Sequence, residues 1–372
     1  MGRANSYQDL LRYKLRHVGI WNTLHVAYLD LSEDLLYRLS RRFPSVAISP
    51  RSIQIECTTR CNLKCTFCEL SYWTEKPADL EFENIQKMAE HLPKVRRVDL
   101  TGIGESLMNR DFFKILEFLK SRGTYVTLND NFTLMTEKTA RRIVELGVDQ
   151  IFLSLDGATK ETYEKIRVGA NFDKVLQNAR GLIRIRQEMR KWRPEVKINT
   201  VVCMTNYHEL PRIVELANEM GIGMVQLVNV MTFENTTALQ TQKVMGKVRE
   251  QLEAARERGR QLDVVVKAEL FEKLPVEQCD FPWKRNFVTQ DGYVHPCCHT
   301  TQTGDRTAQN SRSFGNLVES PFLKLWDKSE YAVLRQKLRQ GILPTECQYC
   351  PKFVGKMDAP VKSISSIPDN GA

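Results

Sequence analysis

Cysteine is the residue type whose number and spacing in this chain of 372 residues point most directly to chemistry. Ten cysteines are present, and three of them form the pattern Cys61-x3-Cys65-x2-Cys68. A short loop with this spacing can bring three thiolates to one soft metal centre. A structural zinc site needs a fourth ligand, which Cys57 could supply. An iron–sulfur cluster held by three cysteines would instead keep one iron open. Spacing alone leaves both interpretations open.

A second group of cysteines lies near the C-terminus. Cys279 is followed after seventeen residues by Cys297, and Cys347-x2-Cys350 closes the group. Four thiolates suit a structural zinc ion and an iron–sulfur cluster equally well.

Composition and charge limit the classes of protein to consider. Lys plus Arg number 54 against 45 Asp plus Glu, which gives a net charge of +9, and 42% of residues are hydrophobic. This composition is that of a globular protein, and the length suits one large domain or two. The sequence contains neither an apolar run long enough to span a membrane nor a secretory signal. We therefore expect a cytoplasmic protein whose cysteines bind metal or catalyse rather than form disulfides.

Basic residues concentrate in two helix-like segments, 180–193 and 243–260. We interpret both as solvated helix faces, because no basic motif interleaved with aromatic residues indicates nucleic-acid binding. The basic, amphipathic stretch 7–43 is predicted to be helical and to pack against the main domain rather than on a membrane surface.

Six predicted strands alternate with helices between residues 52 and 230, which indicates a parallel sheet with right-handed crossovers. The strands cover 52–56, 97–101, 125–128, 151–155, 196–202 and 224–228. Ligand sites in such sheets gather at the carboxyl ends of the strands. The cysteine loop, the turn 102–106, Asn131 and the segment 154–156 all follow strands directly, so we expect them on one rim.

The remaining third of the chain has a different character. It predicts a charged helix over 240–259, an edge strand over 264–267, a β-hairpin over 285–296 and a helix over 322–340. The turn of the hairpin is Gln290-Asp291-Gly292. The polar end of the chain, 356–372, is predicted to fray.

Several motifs together resemble the radical S-adenosylmethionine (SAM) superfamily. They are the three-cysteine loop with Phe67 before its last cysteine, the turn Gly102-x-Gly104-Glu105, and Ser154-Leu-Asp156-Gly157 after the fourth strand. The stretch 162–167 is also similar to members that carry a SPASM domain. The resemblance runs from Ser52 to Val230, and the C-terminal region resembles the SPASM/twitch extension.

This resemblance implies a partial (β/α)6 TIM-like barrel with a small C-terminal α+β cluster-binding domain of the twitch/SPASM type. The domains expected from it are a helical extension 1–51, a radical SAM core 52–230, a helical connector 231–278, an auxiliary cluster domain 279–355 and a flexible tail 356–372.

The resemblance also implies cofactors and their ligands. Cys61, Cys65 and Cys68 would hold a [4Fe–4S] cluster whose open iron binds SAM, and reductive cleavage of SAM would give a 5′-deoxyadenosyl radical that abstracts hydrogen from the substrate. The other expected contacts of SAM are Phe67 at the adenine, Gly102 and Gly104 beside the methionyl group, Glu105 at the ammonium, Asn131, and Ser154 and Asp156 at the ribose or carboxylate.

Two positions depart from the family pattern. Ser106 stands where proline often follows the glutamate, and Phe132 stands where glycine often follows the asparagine. We expect Phe132 to reshape the floor of the pocket.

Cys279, Cys297, Cys347 and Cys350 resemble the ligands of one auxiliary [4Fe–4S] cluster, as in a twitch domain, with zinc as the alternative. Cys297 is preferred over Cys298, because consecutive residues of a strand face opposite ways. Cys57 and Cys203 are expected to be small buried apolar residues. A fully ligated second cluster points to electron transfer and therefore to substrate oxidation.

The leading functional hypothesis is an oxidoreductase acting on a small polar metabolite such as a sugar, an aminocyclitol or a nucleotide-linked compound. The alternative is a peptide or protein maturase, for which about fifty residues before the first strand leave little room for a leader-binding domain. A zinc-stabilised binding module is the third and remote hypothesis. Flavodoxin or ferredoxin is implied as the reductant. No catalytic residue is assigned, and the expected proton acceptor lies in 229–234 or near Arg167.

Overall fold

A computed structural model describes most of the chain. The described residues are 13, 19–43, 49–92, 95–230, 239, 241, 244–270, 275–301, 305–326, 328–347, 350 and 353. None of the helices in these ranges has the length and the apolar composition of a membrane-spanning segment.

A nine-stranded sheet forms the centre of the molecule. The strands of the described residues are β1 Ser52–Ile55, β2 Lys64–Cys65, β3 Arg97–Leu100, β4 Tyr125–Asp130, β5 Gln150–Ser154, β6 Arg167–Val168, β7 Glu195–Val202, β8 Met224–Asn229, β9 Val265–Glu269, β10 Arg285–Val288 and β11 Val294–His295. Of these, β2 and β6 form a separate two-stranded sheet. The spatial order in the sheet is β11-β10-β1-β3-β4-β5-β7-β8-β9. Every neighbouring pair is parallel except β10 with β11, so the predicted six-stranded parallel core is confirmed.

Helices follow the strands and cover the sheet. They are α1 Ile20–Arg42, α2 Phe82–His91, α3 Phe112–Ser121, α4 Glu137–Leu146, α5 Lys160–Ile166, α6 Phe172–Glu188, α7 Leu210–Glu219, α8 Met245–Leu262, α9 Phe281–Lys284, α10 Arg306–Ser311, α11 Phe322–Trp326 and α12 Ser329–Arg339. The local sequence explains their limits. For example, the Thr136 side chain caps α4 by accepting the N–H of Thr139, and Gly147 ends the helix in the left-handed conformation. Ala140, Ile143 and Val144 then share one buried face.

The C-terminal region continues the sheet of the core. Strand β10 pairs in parallel with β1, with Ile53 opposite Asn286, and β11 completes the predicted hairpin. The predicted edge strand and the charged helix are present as β9 and α8. The single helix predicted over 322–340 is instead two helices, α11 and α12, with a break between them.

Helix α1 lies against the main domain, as its amphipathic pattern predicts. Arg97 of β3 donates to Asp30 at 2.9 Å, and Lys284 donates to Asp34 at 2.5 Å. Leu29 is buried at this contact, whereas Trp21 on the outer face is 81% exposed. The extension therefore touches both the core sheet and the C-terminal region.

Candidate functional site

The three-cysteine loop leaves β1 at its carboxyl end and is fixed by hydrogen bonds to Asp79. The Thr58 hydroxyl donates to this carboxylate at 2.5 Å, and Arg60 Nε donates to it at 3.1 Å. The backbone N–H of Thr59 bonds to the carbonyl of Ala78 at 2.9 Å. The loop is therefore held in place before any ligand binds.

The thiols of Cys61, Cys65 and Cys68 lie close enough to influence one another. The N–H of Cys68 donates to the carbonyl of Cys65 at 3.1 Å. Burial raises the pKa of Cys61 to about 11 and that of Cys68 to about 12, and the Cys65 sulfur adds to both increases. A bound metal centre would offset this cost by stabilising the thiolates. The donor set and its burial therefore fit a cluster held by these three residues.

Arg167 is a residue of this site to which the sequence analysis gave no role. Strand β6 pairs antiparallel with β2, which sets Arg167 opposite Cys65. One guanidinium nitrogen, Nη1, lies 3.9 Å from the Cys65 sulfur, and the guanidinium carbon lies 6.0 Å from the centre of the Phe67 ring. A buried cation therefore stands beside the cysteine loop. The sequence pointed to this position only through the family-like stretch 162–167 and the expectation of a proton acceptor near it.

Asp156 is fully buried and orients this cation. One of its oxygens accepts from Arg167 Nε at 2.6 Å, and the other accepts the backbone N–H of Val201 at 2.7 Å. Burial raises the pKa of Asp156, and the guanidinium opposes that increase. Both oxygens are engaged within the protein, so a direct bond to a cofactor would have to be shared. Ser154, two residues earlier at the end of β5, is partly exposed.

Glu105 presents an oxygen that has no partner in the part of the chain the structure describes. Its Oε2 accepts the N–H of Asn131 at 2.9 Å, whereas the buried Oε1 accepts no hydrogen bond. The Asp130 carboxyl lies beside it. Burial and this neighbour raise the pKa of Glu105 well above its usual range, and burial raises that of Asp130 to about 6. Two buried acids with a free acceptor oxygen fit an ammonium group.

The two glycines of the turn make close contacts that no other residue could make. A Cβ on Gly104 would lie 2.3 Å from the carbonyl oxygen of Thr58 and 2.5 Å from that of Arg60. A Cβ on Gly102 would lie 2.4 Å from Cγ of Glu56. The resemblance in sequence implies that both glycines lie beside the methionyl group of SAM. These contacts show that Gly102 and Gly104 also allow the turn to pack on the end of β1 and on the cysteine loop.

We expect Gly104→Ala to prevent this packing, because the atoms that the new methyl group meets belong to the backbone and cannot turn away. The variant should lose most of the iron bound by the first cysteine set and should unfold at lower denaturant concentration. Gly181→Ala is the matched control, since a Cβ there meets no atom within 4 Å and alanine favours the helix. Normal iron content in the Gly104 variant would contradict the packing role.

Asn131 and Phe132 follow β4 and face different surroundings. The side-chain amide of Asn131 donates to Asn62 in the cysteine loop at 3.2 Å, which links the two rim segments. Phe132 has a φ of 61°, in the left-handed region that favours glycine. Its ring is fully buried in the main core. An effect of Phe132 on the floor of the pocket, as expected from sequence, would therefore act from beneath its surface.

The second cysteine set comes together from three separate segments. Burial raises the pKa of Cys347 to about 12, with further contributions from Cys279 and Cys350. Burial also raises the pKa of Cys297, to which Cys298, Cys347 and Cys350 add. The four expected ligands are thus neighbours, and Cys298 adjoins them.

The two leftover cysteines, Cys57 and Cys203, are fully buried, as expected. Within the described ranges, no three His, Cys, Asp or Glu side chains surround a point closely enough to hold a single metal ion.

A group of polar side chains, buried except for the partly exposed Trp73, joins the first cysteine loop to the C-terminal region. We call it the interdomain polar cluster, and its members are Glu56, Trp73, Gln290, His295, Arg306 and Gln309. Arg306 donates to Glu56 at 2.5 Å and lies with its guanidinium carbon 5.5 Å from the centre of the Trp73 ring. Nothing in the sequence spacing pointed to this cluster, because its members meet only in the folded chain.

Several atoms of the interdomain polar cluster are buried and have no hydrogen-bond partner among the described residues. They are Nε1 of Trp73, Oε1 of Gln290, both ring nitrogens of His295, Nη1 of Arg306 and Oε1 of Gln309. Burial and the charge of Arg306 lower the pKa of His295 to about 3, so its ring is neutral. Unsatisfied buried groups are rare in folded proteins, so ordered water or a polar ligand is expected to satisfy these atoms.

Family models match both parts of the chain that carry cysteine sets. The model of the radical SAM superfamily matches residues 55–217, and the model of the SPASM iron–sulfur cluster-binding domain matches residues 279–351. A tungsten-containing aldehyde ferredoxin oxidoreductase cofactor-modifying protein of Pyrococcus furiosus is 25% identical over 316 residues, covering 80% of this chain and 86% of that protein. An AdoMet-dependent heme synthase of Methanosarcina barkeri is 29% identical over 46% of this chain and 48% of its own length.

Solved structures share the fold at low sequence identity. SuiB of Streptococcus suis bound to S-adenosylmethionine superposes with a TM-score of 0.64 and 16% identity, covering 88% of this chain and 78% of that one. The protein anSMEcpe with bound AdoMet gives a TM-score of 0.60 and 19% identity, with coverage of 81% and 83%.

Proposed function

The chain is a member of the radical SAM superfamily with a C-terminal SPASM iron–sulfur domain, and from that premise we propose that it oxidises a small polar metabolite by hydrogen abstraction. The radical SAM domain implies that the protein binds a [4Fe–4S] cluster and SAM, and the SPASM domain implies auxiliary iron–sulfur clusters. The observation that carries the proposal is the interdomain polar cluster, whose unsatisfied buried atoms lie where the C-terminal region meets Glu56, five positions before Cys61.

The first site is assigned to residues of the rim. Cys61, Cys65 and Cys68 would hold the first cluster, and Glu105 would accept the ammonium of SAM with its free oxygen. Arg167 would face the SAM carboxylate, since it is the buried cation beside Cys65. The cluster and SAM, when bound, would supply the 5′-deoxyadenosyl radical. The further expected contacts are Phe67 at adenine and Ser154 at ribose.

SAM affinity is expected to rise with pH, because the ammonium of SAM is bound by ionised Glu105. Burial raises the pKa of both acids, and the Asp130 charge raises that of Glu105 further, so the pair keeps a proton to higher pH than free carboxyl groups would. Raising the pH through the titration of the pair frees Glu105 for SAM. Asp130→Asn removes the competing charge, so its affinity profile should shift to lower pH. Equilibrium dialysis of SAM at several pH values measures both profiles, and two identical flat profiles would contradict the assignment.

The second site is assigned to Cys279, Cys297, Cys347 and Cys350, which would hold one auxiliary [4Fe–4S] cluster. Four cysteine ligands leave no open iron, so the group would serve as an electron acceptor. Abstraction of one hydrogen atom, followed by loss of one electron and one proton, makes a two-electron oxidation of the substrate. Arg167 is not the proton acceptor, because its guanidinium stays protonated. Residues 231–234 of the other expected region lie outside the described residues.

The substrate would lie between the first cysteine loop and the C-terminal region. Trp73 and Arg306 offer hydrogen-bond donors there, and Gln290 and Gln309 offer acceptors, so hydroxyl and carbonyl groups of a polar metabolite would satisfy them. The similarity to a cofactor-modifying protein over most of both chains supports a substrate of small-molecule type.

Peptide or protein modification is the second candidate. Its support is the same mixture of donors and acceptors, which a peptide backbone would also satisfy. The fold is shared with SuiB, one of whose structures contains the precursor peptide SuiA.

One experiment separates the two candidates. Anaerobically reconstituted protein is incubated with SAM, reductant and cell extract divided into small-molecule and macromolecular fractions, and 5′-deoxyadenosine is measured above the background without extract. A rise with the small-molecule fraction, together with a compound that loses two hydrogens, supports the metabolite oxidase. A rise confined to the macromolecular fraction supports the maturase and contradicts the first candidate. We further propose flavodoxin or ferredoxin as reductant and the cytoplasm as location, since both fit oxygen-sensitive clusters.

A further inference from the structure

Glu56 is a buried carboxylate that joins three segments of the molecule. It follows β1 directly and is 1% exposed. Its carboxylate accepts from the backbone N–H of Gln290 at 3.3 Å and from Arg306 Nη2 at 2.5 Å, and the backbone N–H of Ile103 lies near it. Ile103 belongs to the turn that ends in Glu105, whereas Gln290 and Arg306 belong to the C-terminal region. One side chain thus connects the rim of the core with the auxiliary domain.

The turn 102–106 rests on this carboxylate. The α-carbon of Gly102 is packed so closely against Glu56 that a Cβ would lie 2.4 Å from its Cγ. Two residues beyond Ile103, the N–H of Glu105 donates to the carbonyl of Arg60 at 2.7 Å. A shift of the Glu56 side chain would therefore be passed to the turn that carries Glu105.

Arg306 is held in a fixed position on the other side of the ion pair. Its backbone N–H donates to the Glu75 carboxylate at 2.5 Å, and its guanidinium lies over the ring of Trp73. Its side chain is 10% exposed, so solvent screens the pair little. A charged partner of Glu56 is therefore supplied by α10 of the auxiliary domain.

We propose that Arg306 is a positioning residue for SAM, because through Glu56 it holds the Gly102–Glu105 turn in the arrangement that receives the ammonium group. The auxiliary domain thus contributes to SAM affinity at the first site without touching SAM. This inference rests on the proposed assignment of Glu105 to SAM.

Removal of the Arg306 charge leaves Glu56 as an uncompensated buried carboxylate. Such a group attracts a proton or moves towards other donors, and either response disturbs its packing against Gly102 and Ile103. Loss of a hydrogen bond to a charged group changes an equilibrium constant by roughly a factor of ten or more. We therefore expect Arg306→Gln to raise the dissociation constant of SAM about tenfold.

The test is equilibrium dialysis of SAM, without substrate, against anaerobically reconstituted full-length protein. The variants are Arg306→Gln, Arg306→Lys, Glu56→Gln and the double variant, and iron content is measured in each. Arg306→Lys keeps the charge and should recover part of the affinity. In the Glu56→Gln background, Arg306→Gln should have little further effect, because both changes break the same pair. Arg335→Gln is the control, since Arg335 is a buried cation of the same domain that packs on Trp326.

Weaker SAM binding with unchanged first-site iron, recovered by lysine and absent in the control, is the expected result. Unchanged affinity in Arg306→Gln would overturn the inference while leaving the proposed function intact. Loss of first-site iron in all the Arg306 and Glu56 variants would show that the ion pair is needed for folding of the first site. That result would also overturn the inference. Failure of the wild-type protein to bind SAM would contradict the proposed function itself, and with it this inference.

Discussion

Replacement of Cys61, Cys65 and Cys68 together by alanine is expected to abolish SAM cleavage and to remove about half of the bound iron. The three thiols lie together in one loop that is fixed through Asp79, so their loss leaves no ligand for the first cluster. The second set of cysteines lies in other segments and should keep its iron. Iron analysis together with 5′-deoxyadenosine measured by chromatography and mass spectrometry checks both expectations.

Cys57→Ala is the matched control for this experiment. Cys57 precedes the loop by only a few residues, yet its thiol is fully buried in the main core. We expect this variant to retain both iron and SAM cleavage. Loss of all iron from the triple variant would contradict a two-site arrangement, and cleavage by the triple variant would contradict the ligand assignment.

Arg167→Leu is expected to destabilise the protein by about 3–5 kcal/mol, the usual cost of breaking a buried ion pair. The change leaves Asp156 fully buried without its cation, although the bond from Val201 remains. Asp156→Asn in the same chain removes the uncompensated charge and should recover much of the loss. Denaturant unfolding of the metal-free protein measures these differences, so the result does not depend on cluster assembly.

Arg212→Leu is the corresponding control on the surface. Arg212 also bonds two carboxylates, those of Glu215 and Glu219, but it is about half exposed. Exposed pairs contribute little to stability, so we expect almost no change. A similar loss of stability in both leucine variants would contradict the special role given to the buried pair.

The sequence predicted the sheet and the cysteine sets because both depend on local patterns. Alternating strands and helices required a parallel sheet, and the position of each motif directly after a strand put it on the rim. The hairpin β10–β11 followed from its Gly292 turn. What the pattern lacked was the pairing of β10 with β1, because register between distant strands is set by packing across the whole sheet.

Arg167 and Arg306 were beyond sequence reasoning for the same physical reason. Arg167 gains its role only because β6 returns to pair with β2, and Arg306 gains its role only because α10 returns to β1. Isolated arginines in a basic chain carry no spacing signal. Gly104 was named from the resemblance, and its backbone contact with the cysteine loop is a further requirement for glycine that only the fold creates.

The most direct test of the account is the electron paramagnetic resonance spectrum of the reduced protein, with and without SAM, in a variant whose Cys347 and Cys350 are alanine. This variant should keep the cluster at Cys61, Cys65 and Cys68 and lose the auxiliary one, so the spectrum reports the first site alone. We predict a reduced [4Fe–4S] signal that changes when SAM is added. An iron-loaded protein whose signal is the same with and without SAM would contradict the claim that this loop holds the SAM-binding cluster.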